Sequence, residues 1–485
     1  MIRLTADDSE MKVALNPIHR TNLLKKVSRP LGASFDLEYV RSGNTYDQPQ
    51  SRLVLSKTTV FNGVPGNGPD TQVTTYKYEG GKYDRFERDF YGYRKVTEEQ
   101  RDTAVANALY RSIAREFLND SFYSKGLLKR EFTLDAAVQP FLETENSYVL
   151  RDVATGNTPA NPQSTTATIF PQLVRTDRRF YEGQTSPGKV TYTTHEYDTF
   201  GNVIRFVDAG DAGAQDDVEA IIQYSAADTA CRNNHIVGKA TGIDVLGAGQ
   251  PMRRRTARIH CASGNVEEVA QYLESGPAAV TALAYFPNGN LQSVTGPANK
   301  NSQRYQLDYE YDTAVATHVT RIADSFGLSS SATHNYLFGK VETTTDTNNQ
   351  QTKYVYDSVG RVSTITGPYE ITAGQTTIGF EYHPEAVVPY AVTRHIDKDA
   401  SGILKPSGTI DTILFTDGLK RVLQTKKDAA IHASADSSPA DSMIVSGRVL
   451  FDHVGRCRPH RLPTLPGHRA EGRQHHLQPV VRLDN

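Results

Sequence analysis

The sequence predicts an all-β fold built from many short antiparallel strands and hairpins. Three observations carry this. The 485 residues include 25 Tyr, 18 Phe and 36 Gly but no Trp, and Tyr and Thr favour pleated, half-buried surfaces while Gly punctuates turns. The stretch Arg304–Tyr311 alternates strictly, with Tyr305, Leu307, Tyr309 and Tyr311 on one face and Arg304, Gln306, Asp308 and Glu310 on the other. That is the period of a strand with one packed and one wet face. The third observation is a recurring unit in which an aromatic residue leads into a tight glycine turn and a second apolar run.

Weaker alternation marks strands at 72–78, 189–197 and 353–356, each followed by a Gly- or Asn-bearing turn and another β-branched run, the pattern of a hairpin. Residues 98–118 fit two templates. Ala104, Ala106, Ala108, Ile113 and Phe117 could line a helix, whereas residues 110–117 read equally well as extended chain, and the β surroundings favour a strand for the second half.

The repeat unit is clearest at His195-Glu-Tyr-Asp-Thr-Phe-Gly-Asn-Val203, Ala284-Tyr-Phe-Pro-Asn-Gly-Asn-Leu291 and Val355-Tyr-Asp-Ser-Val-Gly-Arg-Val362. Looser copies begin at Ile259, Asn335 and Leu450, and a degenerate one at Ile413. The aromatic ends the first strand, Asp or Asn bonds the turn amides, and Gly takes a positive φ without a Cβ clash. The structural anchors of this reading are Tyr197, Asp198 and Gly201; Tyr285 and Gly289; Tyr356, Asp357 and Gly360; Phe415 and Gly418; and Phe451, Asp452 and Gly455. Their uneven spacing implies insertions between hairpins rather than the fixed period of a propeller.

Tyr356-Asp-Ser-Val-Gly-Arg-Val362 and Tyr197-Asp-Thr-Phe-Gly-Asn-Val203 resemble the YD repeat of the Rhs family. Three ordered blocks resemble something narrower: Asn22-Leu-Leu-Lys-Lys-Val-Ser-Arg-Pro-Leu-Gly32, Gly80-Gly-Lys-Tyr-Asp-Arg-Phe-Glu-Arg-Asp-Phe-Tyr-Gly-Tyr-Arg-Lys-Val96 and Phe122-Tyr-Ser-Lys-Gly-Leu-Leu-Lys129. They are similar to the middle region of the B component of Tc insecticidal toxin complexes, found also in SpvB-like proteins. The resemblance covers roughly residues 15–455 and divides the chain into a B-component-like β segment at 1–135, a YD-repeat segment at 136–455 and an aberrant tail at 456–485. It implies a spiralling β-sheet wound into a hollow shell, incomplete in this chain. In the family such a shell encloses a toxic C-terminal polypeptide and is completed by propeller and further shell parts. Those parts and the cargo are the implied partners, and the implied location is secreted or at the cell surface.

The tail departs from the pattern. After Leu450-Phe-Asp-His-Val-Gly-Arg456, where an apolar residue should re-enter the sheet, comes Cys457-Arg-Pro-His-Arg, and the remainder lacks alternation and tyrosine. A reading-frame shift near Arg456 is the expectation, with a natural disordered terminus as the alternative. Residues 1–10 lack the apolar core of a signal peptide. The protein therefore stays inside, leaves by a route this segment does not encode, or has its true start upstream.

Chemistry is sparsely signalled. Lys+Arg of 53 against Asp+Glu of 55 leaves a net charge of -2 and no basic field for nucleic acid. Cys231, Cys261 and Cys457 form no CxxC, which supports neither a disulfide framework nor a zinc knuckle and leaves free buried thiols as the expectation. Cys457, His460, His468, His475 and His476 have no compact ligand spacing. Asp208, Asp211, Asp216 and Asp217 lack the order of a calcium loop and read as a solvated acidic loop. Arg253, Arg254, Arg255 and Arg258 read as exposed strand residues beside acids rather than a phosphate site. Asp84, Arg85, Glu87, Arg88 and Asp89 around Phe86 and Phe90 read as interstrand ion pairs beside a packed aromatic strand, not as a glycosidase pair. Asn119-Asp-Ser121 is a formal glycosylation acceptor. No nucleophile elbow, phosphate loop or zinc-protease motif occurs. The reading is a non-enzymatic scaffold without cofactors; the alternative is a surface module that binds glycan or protein through exposed tyrosines.

Overall fold

The computed structural model describes residues 22–458, apart from 67–68, 160, 162–163, 165, 274–275, 400, 432–437, 439 and 446–448, together with the short strands Ile2–Arg3 and Met11–Lys12. The tail histidines lie outside the described residues. Among the described residues, 28 antiparallel strands form one continuous sheet, from Lys26–Ser28 to Ala440–Val445. Each strand pairs with the strands before and after it, as Arg304–Tyr311 does with Leu291–Ala298 and Val319–Asp324. The first and last strands of this meander each pair on one side only. The disputed stretch 98–118 is strand at both ends: Asp89–Asp102 turns into Ala108–Leu118, so Ala104 and Ala106 lie in a turn.

The long strands are held by paired backbone and by neighbours along the sheet more than by a second layer. Buried apolar residues are few, and several are alanines such as Ala33, Ala114, Ala209 and Ala270. The accessible surface is 31,244 Å² for 53.5 kDa, where a compact protein of that mass exposes about 18,000 Å². This sharpens the expectation for Arg304–Tyr311. Its alternation holds, but Tyr305 on the aromatic face is exposed, because only adjacent strands and side chains cover that face.

Side-chain rows run across the strands. Leu283 pairs with Val294 and Val294 with Leu307; Tyr354 pairs with Ile365 and Ile365 with Ile378. Nearer the N-terminus the rows are ionic. Arg130 bridges Glu143 and Glu145, and Arg179 bridges the same two carboxylates.

Successive turns fall alternately on two rims. One carries the tyrosine–aspartate turns and is called the YD rim here; the other carries turns such as 29–33, 62–70 and 103–107. Among the described residues an apolar cluster joins distant parts of the sequence at these rims, with Val64 against Leu423 and Phe451 and with Val388, Phe415 and Val449 around them.

Candidate functional site

The repeat turns share one geometry. In Asp198–Asn202 the Asp198 Oδ1 accepts from the amides of Phe200 and Asn202 at 2.8 and 2.9 Å, and Gly201 has φ +85°. Asp357 accepts from Val359 and Arg361 and meets Arg361 Nε at 2.6 Å, with Gly360 at φ +80°. Asp452 repeats this with Val454 and Arg456, and Gly455 stands at φ +84°. Gly289 takes the same place in the turn after Tyr285, at φ +91°. Burial works to raise the carboxyls of Asp357 and Asp452, but the Arg and backbone N–H donors outweigh it and hold both below the usual range.

The tyrosines fasten each turn to an earlier one. Tyr197 Oη donates to Leu173 O and Tyr285 Oη to Val266 O, each at 2.9 Å. Tyr356 Oη donates to Val341 O, and Tyr382 Oη donates to Val362 O at 2.9 Å. Val266, Val341 and Val362 are the residues that re-enter the sheet after the preceding YD-rim turn. The hydroxyl therefore spans one repeat, which is the physical reason for Tyr rather than Phe. Burial pushes the phenols of Tyr197, Tyr356 and Tyr382 up, so each remains a donor.

Gly418 needs correction. The positive φ of its turn, +67°, falls on Lys420, the position matching Gly201 and Gly360. Gly418 follows Asp417, which is fully buried and accepts from Leu419 N, Arg421 N and Arg421 Nε. Glycine is required there by proximity: Gly418 N donates to Asn62 O at 2.7 Å. A Cβ would overlap the Ala33 nitrogen and stand 2.6 Å from Asn62 O. Phe415 and Phe451 lie in the apolar cluster behind this contact.

The next turn makes the same kind of contact one step further round. His453 Nδ1 lies 3.3 Å from Asp102 Oδ1, and its ring meets Tyr110 edge-on at 4.6 Å. The Arg456 guanidinium lies over Tyr110, and a Cβ on Gly455 would meet Gln72 Nε2 at 2.9 Å. YD-rim turns near the C-terminus thus sit on opposite-rim turns near the N-terminus. This seam is where the winding sheet meets itself.

Several partners were not read from the sequence. Tyr311-Asp312 is a further repeat whose turn lacks glycine; Asp312 accepts from the amides of Ala314, Val315, Ala316, Thr317 and His318. Those donors, Val315 first, hold its carboxyl well below the ordinary range. The Asp-turn geometry also recurs on the opposite rim at Asp135, Asp324, Asp346 and Asp399. For these four, an Asp five residues before re-entry was the available signal, whereas Asp312 stands seven before Val319.

The other candidates resolve into local partners. Cys231 and Cys261 form a disulfide with Cα atoms 4.4 Å apart, overturning the expectation of free thiols. Sequence spacing could not indicate it, because the bridge joins two adjacent rim turns: the insert carrying the helix Thr229–Asn233 and the turn 260–265. Cys457 is free and exposed. Asp216 accepts from Asp211 N and Ala212 N, and Lys189 pairs with Asp211, which accounts for the acidic loop. Arg254 pairs with Asp244, and Arg258 with Glu267. Asp84 bonds the amides of Phe86 and Glu87, while Asp89 pairs with Lys125. Phe86 is exposed at its turn tip, contrary to the packed position expected. Asn119 is buried with its amide on Gly80 O and Gly92 O, so the acceptor motif is inaccessible.

The fold and its rims define a spiralling β-shell segment. Residues 4–125 match the family model described as the insecticide toxin TcdB middle/N-terminal region. No curated protein matches the chain. Among solved structures, a TcdB2-TccC3 complex shares the fold with TM-score 0.66 at 14% identity, covering 88% of this chain and 31% of that one. A TcdB2-TccC3-Cdc42 structure gives 0.67 at 13%, covering 90% and 33%. A Tc holotoxin pore of Photorhabdus luminescens gives 0.64 at 12%, covering 88% and 32%. The chain spans about a third of the length of these structures.

Proposed function

We propose that this chain is a non-enzymatic wall segment of a Tc-type toxin shell, which encloses a C-terminal toxic polypeptide and helps deliver it. Its partners are the remaining shell and propeller parts and the enclosed polypeptide, and it works outside the producing cell. The observation that carries this reading is the seam. A single-layered sheet whose late turns rest on its own early turns has closed a circuit and has an inside. From the turn at 62–70 to the turn at 417–421 there are about 23 strand spacings of ~4.8 Å, giving a circuit of roughly 110 Å and a diameter of roughly 35 Å if the strands run along the axis; tilt widens it. Among the carboxylates that could suggest catalysis, Asp84 is committed to turn amides and Asp89 to Lys125. The segments 1–135 and 136–455 are read as two sequence regions of one wall, a reading supported for the described residues from 22 on by the pairing of Leu134 with Pro140.

The test is protease protection in a longer polypeptide that carries this segment, the downstream repeats and a C-terminal domain. Protection of that domain is expected, with its loss on Gly418→Val. Digestion at the rate of the free domain overturns the proposal. A glycan array serves as the control, since a wall segment should bind nothing on it.

A further inference from the structure

Consecutive turns of the YD rim are fastened to one another. Asn202 Nδ2 donates to Val237 O at 3.1 Å, the disulfide joins the turns carrying Cys231 and Cys261, Asn290 Nδ2 donates to Ala316 O at 2.6 Å, and Lys340 Nζ donates to Gly360 O. Between the turns 312–318 and 335–340 the fastening is of another kind. There the imidazoles of His318 and His334 lie face to face, with centroids 4.6 Å apart and planes 15° from parallel. His318 closes its turn, its amide donating to Asp312 Oδ2 at 2.8 Å, and its ring also meets Tyr336 at 5.9 Å. His334 stands near the end of the strand Ser329–Asn335, opposite Val341. That strand and its neighbour Val319–Asp324 are each paired on both sides.

Two neutral rings stack in this place, and two charged ones repel. The Nδ1 of His334 is buried and has no hydrogen-bond partner among the described residues, so the imidazolium would carry an Nδ1–H without an acceptor. Neighbouring charges are committed elsewhere. Asp312 accepts its five turn amides, and Arg321, which borders the same side of the sheet, is paired with Glu310 at 2.6 Å. Asp346 accepts from the amides of Asn348 and Gln350. From the following strand Lys340 is held at Gly360 O, and Glu342 acts on the Tyr356 phenol. Burial first, and His318 second, push the His334 imidazole below its ordinary range against the upward pull of Asp312. The ring borders an open trough of about 410 Å³ through which water reaches it.

We propose that the His318–His334 pair is an acid-sensitive joint of the rim: neutral rings hold the turns 312–318 and 335–340 together, and protonation drives them apart. In acid the wall opens locally between these two repeats, while backbone pairing and the other fastenings hold the strands on either side. The sign follows from linkage. A His334 value below the ordinary 6.5 means that the stacked state binds fewer protons than the opened one. Its stabilisation is therefore whole above that range and shrinks as pH falls below it. The inference concerns two turns and not a cargo, so it stands or falls independently of the enclosing role.

Amide exchange of the full chain, read by mass spectrometry at about pH 7.5 and about pH 5 and corrected for the intrinsic rate, tests it. Peptides covering 312–318 and 335–340 should exchange several-fold faster at the lower pH, while the turn 135–139 on the opposite rim should not change. His334→Phe keeps a ring to stack on His318 and takes no proton, so its turns should exchange alike at both pH values. Deuterium exchange at the imidazole C2 position titrates each histidine separately. His334 should titrate below its ordinary range in the parent and move up in His318→Phe, where the second cation is gone. Turn exchange that ignores pH in the parent, a pH dependence that survives His334→Phe, or a His334 titration unmoved by His318→Phe each overturns the proposal. Where a Phe variant does not fold, the parent decides: a His334 midpoint at or above the ordinary 6.5 overturns it.

Discussion

A single carboxylate organises each repeat turn, and Asp312 is the extreme case. Its two oxygens accept five backbone amides in a turn without glycine, so Asp312→Ala leaves those donors without their acceptor. A lower urea midpoint is expected, with partial recovery in Asp312→Asn. An unchanged midpoint would show that water replaces the carboxylate freely. Gly360 serves its turn differently. Its φ of +80° and a Cβ position 2.9 Å from Phe338 Cδ1 make Gly360→Val costly by about 2 kcal/mol, measurable as a lower melting temperature. Asp357 and Gly360 have the geometry that the Asp-x-x-Gly pattern suggests, although Lys420 fills the glycine's place in the Asp417 turn. Gly418 was legible only as a glycine. Its reason for being one, contact with Ala33 and Asn62, lies hundreds of residues away in the sequence.

At the scale of the hairpin, the tyrosine hydroxyl ties one repeat to the one before. Tyr197→Phe or Tyr382→Phe keeps the ring and removes one buried hydrogen bond, an expected loss of about 1 kcal/mol. A double substitution should be additive, since the turns are far apart and each touches only its neighbours. Cooperative loss in the urea midpoint would count against that quasi-linear architecture. The disulfide is another device at this scale. It closes a loop between residues 30 apart, a constraint of about 3.7 kcal/mol in the chain-entropy account. Reduction should speed amide exchange in 225–239 and 260–265 while the strands beyond remain protected.

For the whole molecule, two kinds of interaction decide closure and its dependence on pH. The seam concentrates burial, so Leu423→Ala should cost about 3 kcal/mol. Gly418→Val should leave the strand content by circular dichroism intact yet raise the radius of gyration as the circuit opens. An unchanged radius would place closure elsewhere. Ionic rows set the acid limit. Arg175 holds the Asp177 carboxyl low; for Glu99 and Glu145 burial acts upward but is outweighed by Lys77 and Arg101, and by Arg130 and Arg179. Folded-state values below the ordinary 3.8 and 4.5 mean that the stabilisation is complete above that range and is lost as pH falls through the depressed values. The urea midpoint should therefore hold near neutrality and drop below about pH 4.

Local chemistry in the sequence determined the strands, their turns and the type of sheet, because alternation and Asp-Gly turns act over a few residues. Arg304–Tyr311 and the turn at Asp357 were readable for that reason. The tertiary structure alone decided that Cys231 meets Cys261, that Phe86 is exposed, and that the turn at Gly418 rests on Ala33 and Asn62. The first two depend on how neighbouring turns sit, while the contact at Gly418 follows from the accumulated twist of the 28 described strands. Such a sum has no local signature, and it is what turns a row of hairpins into a wall with an inside.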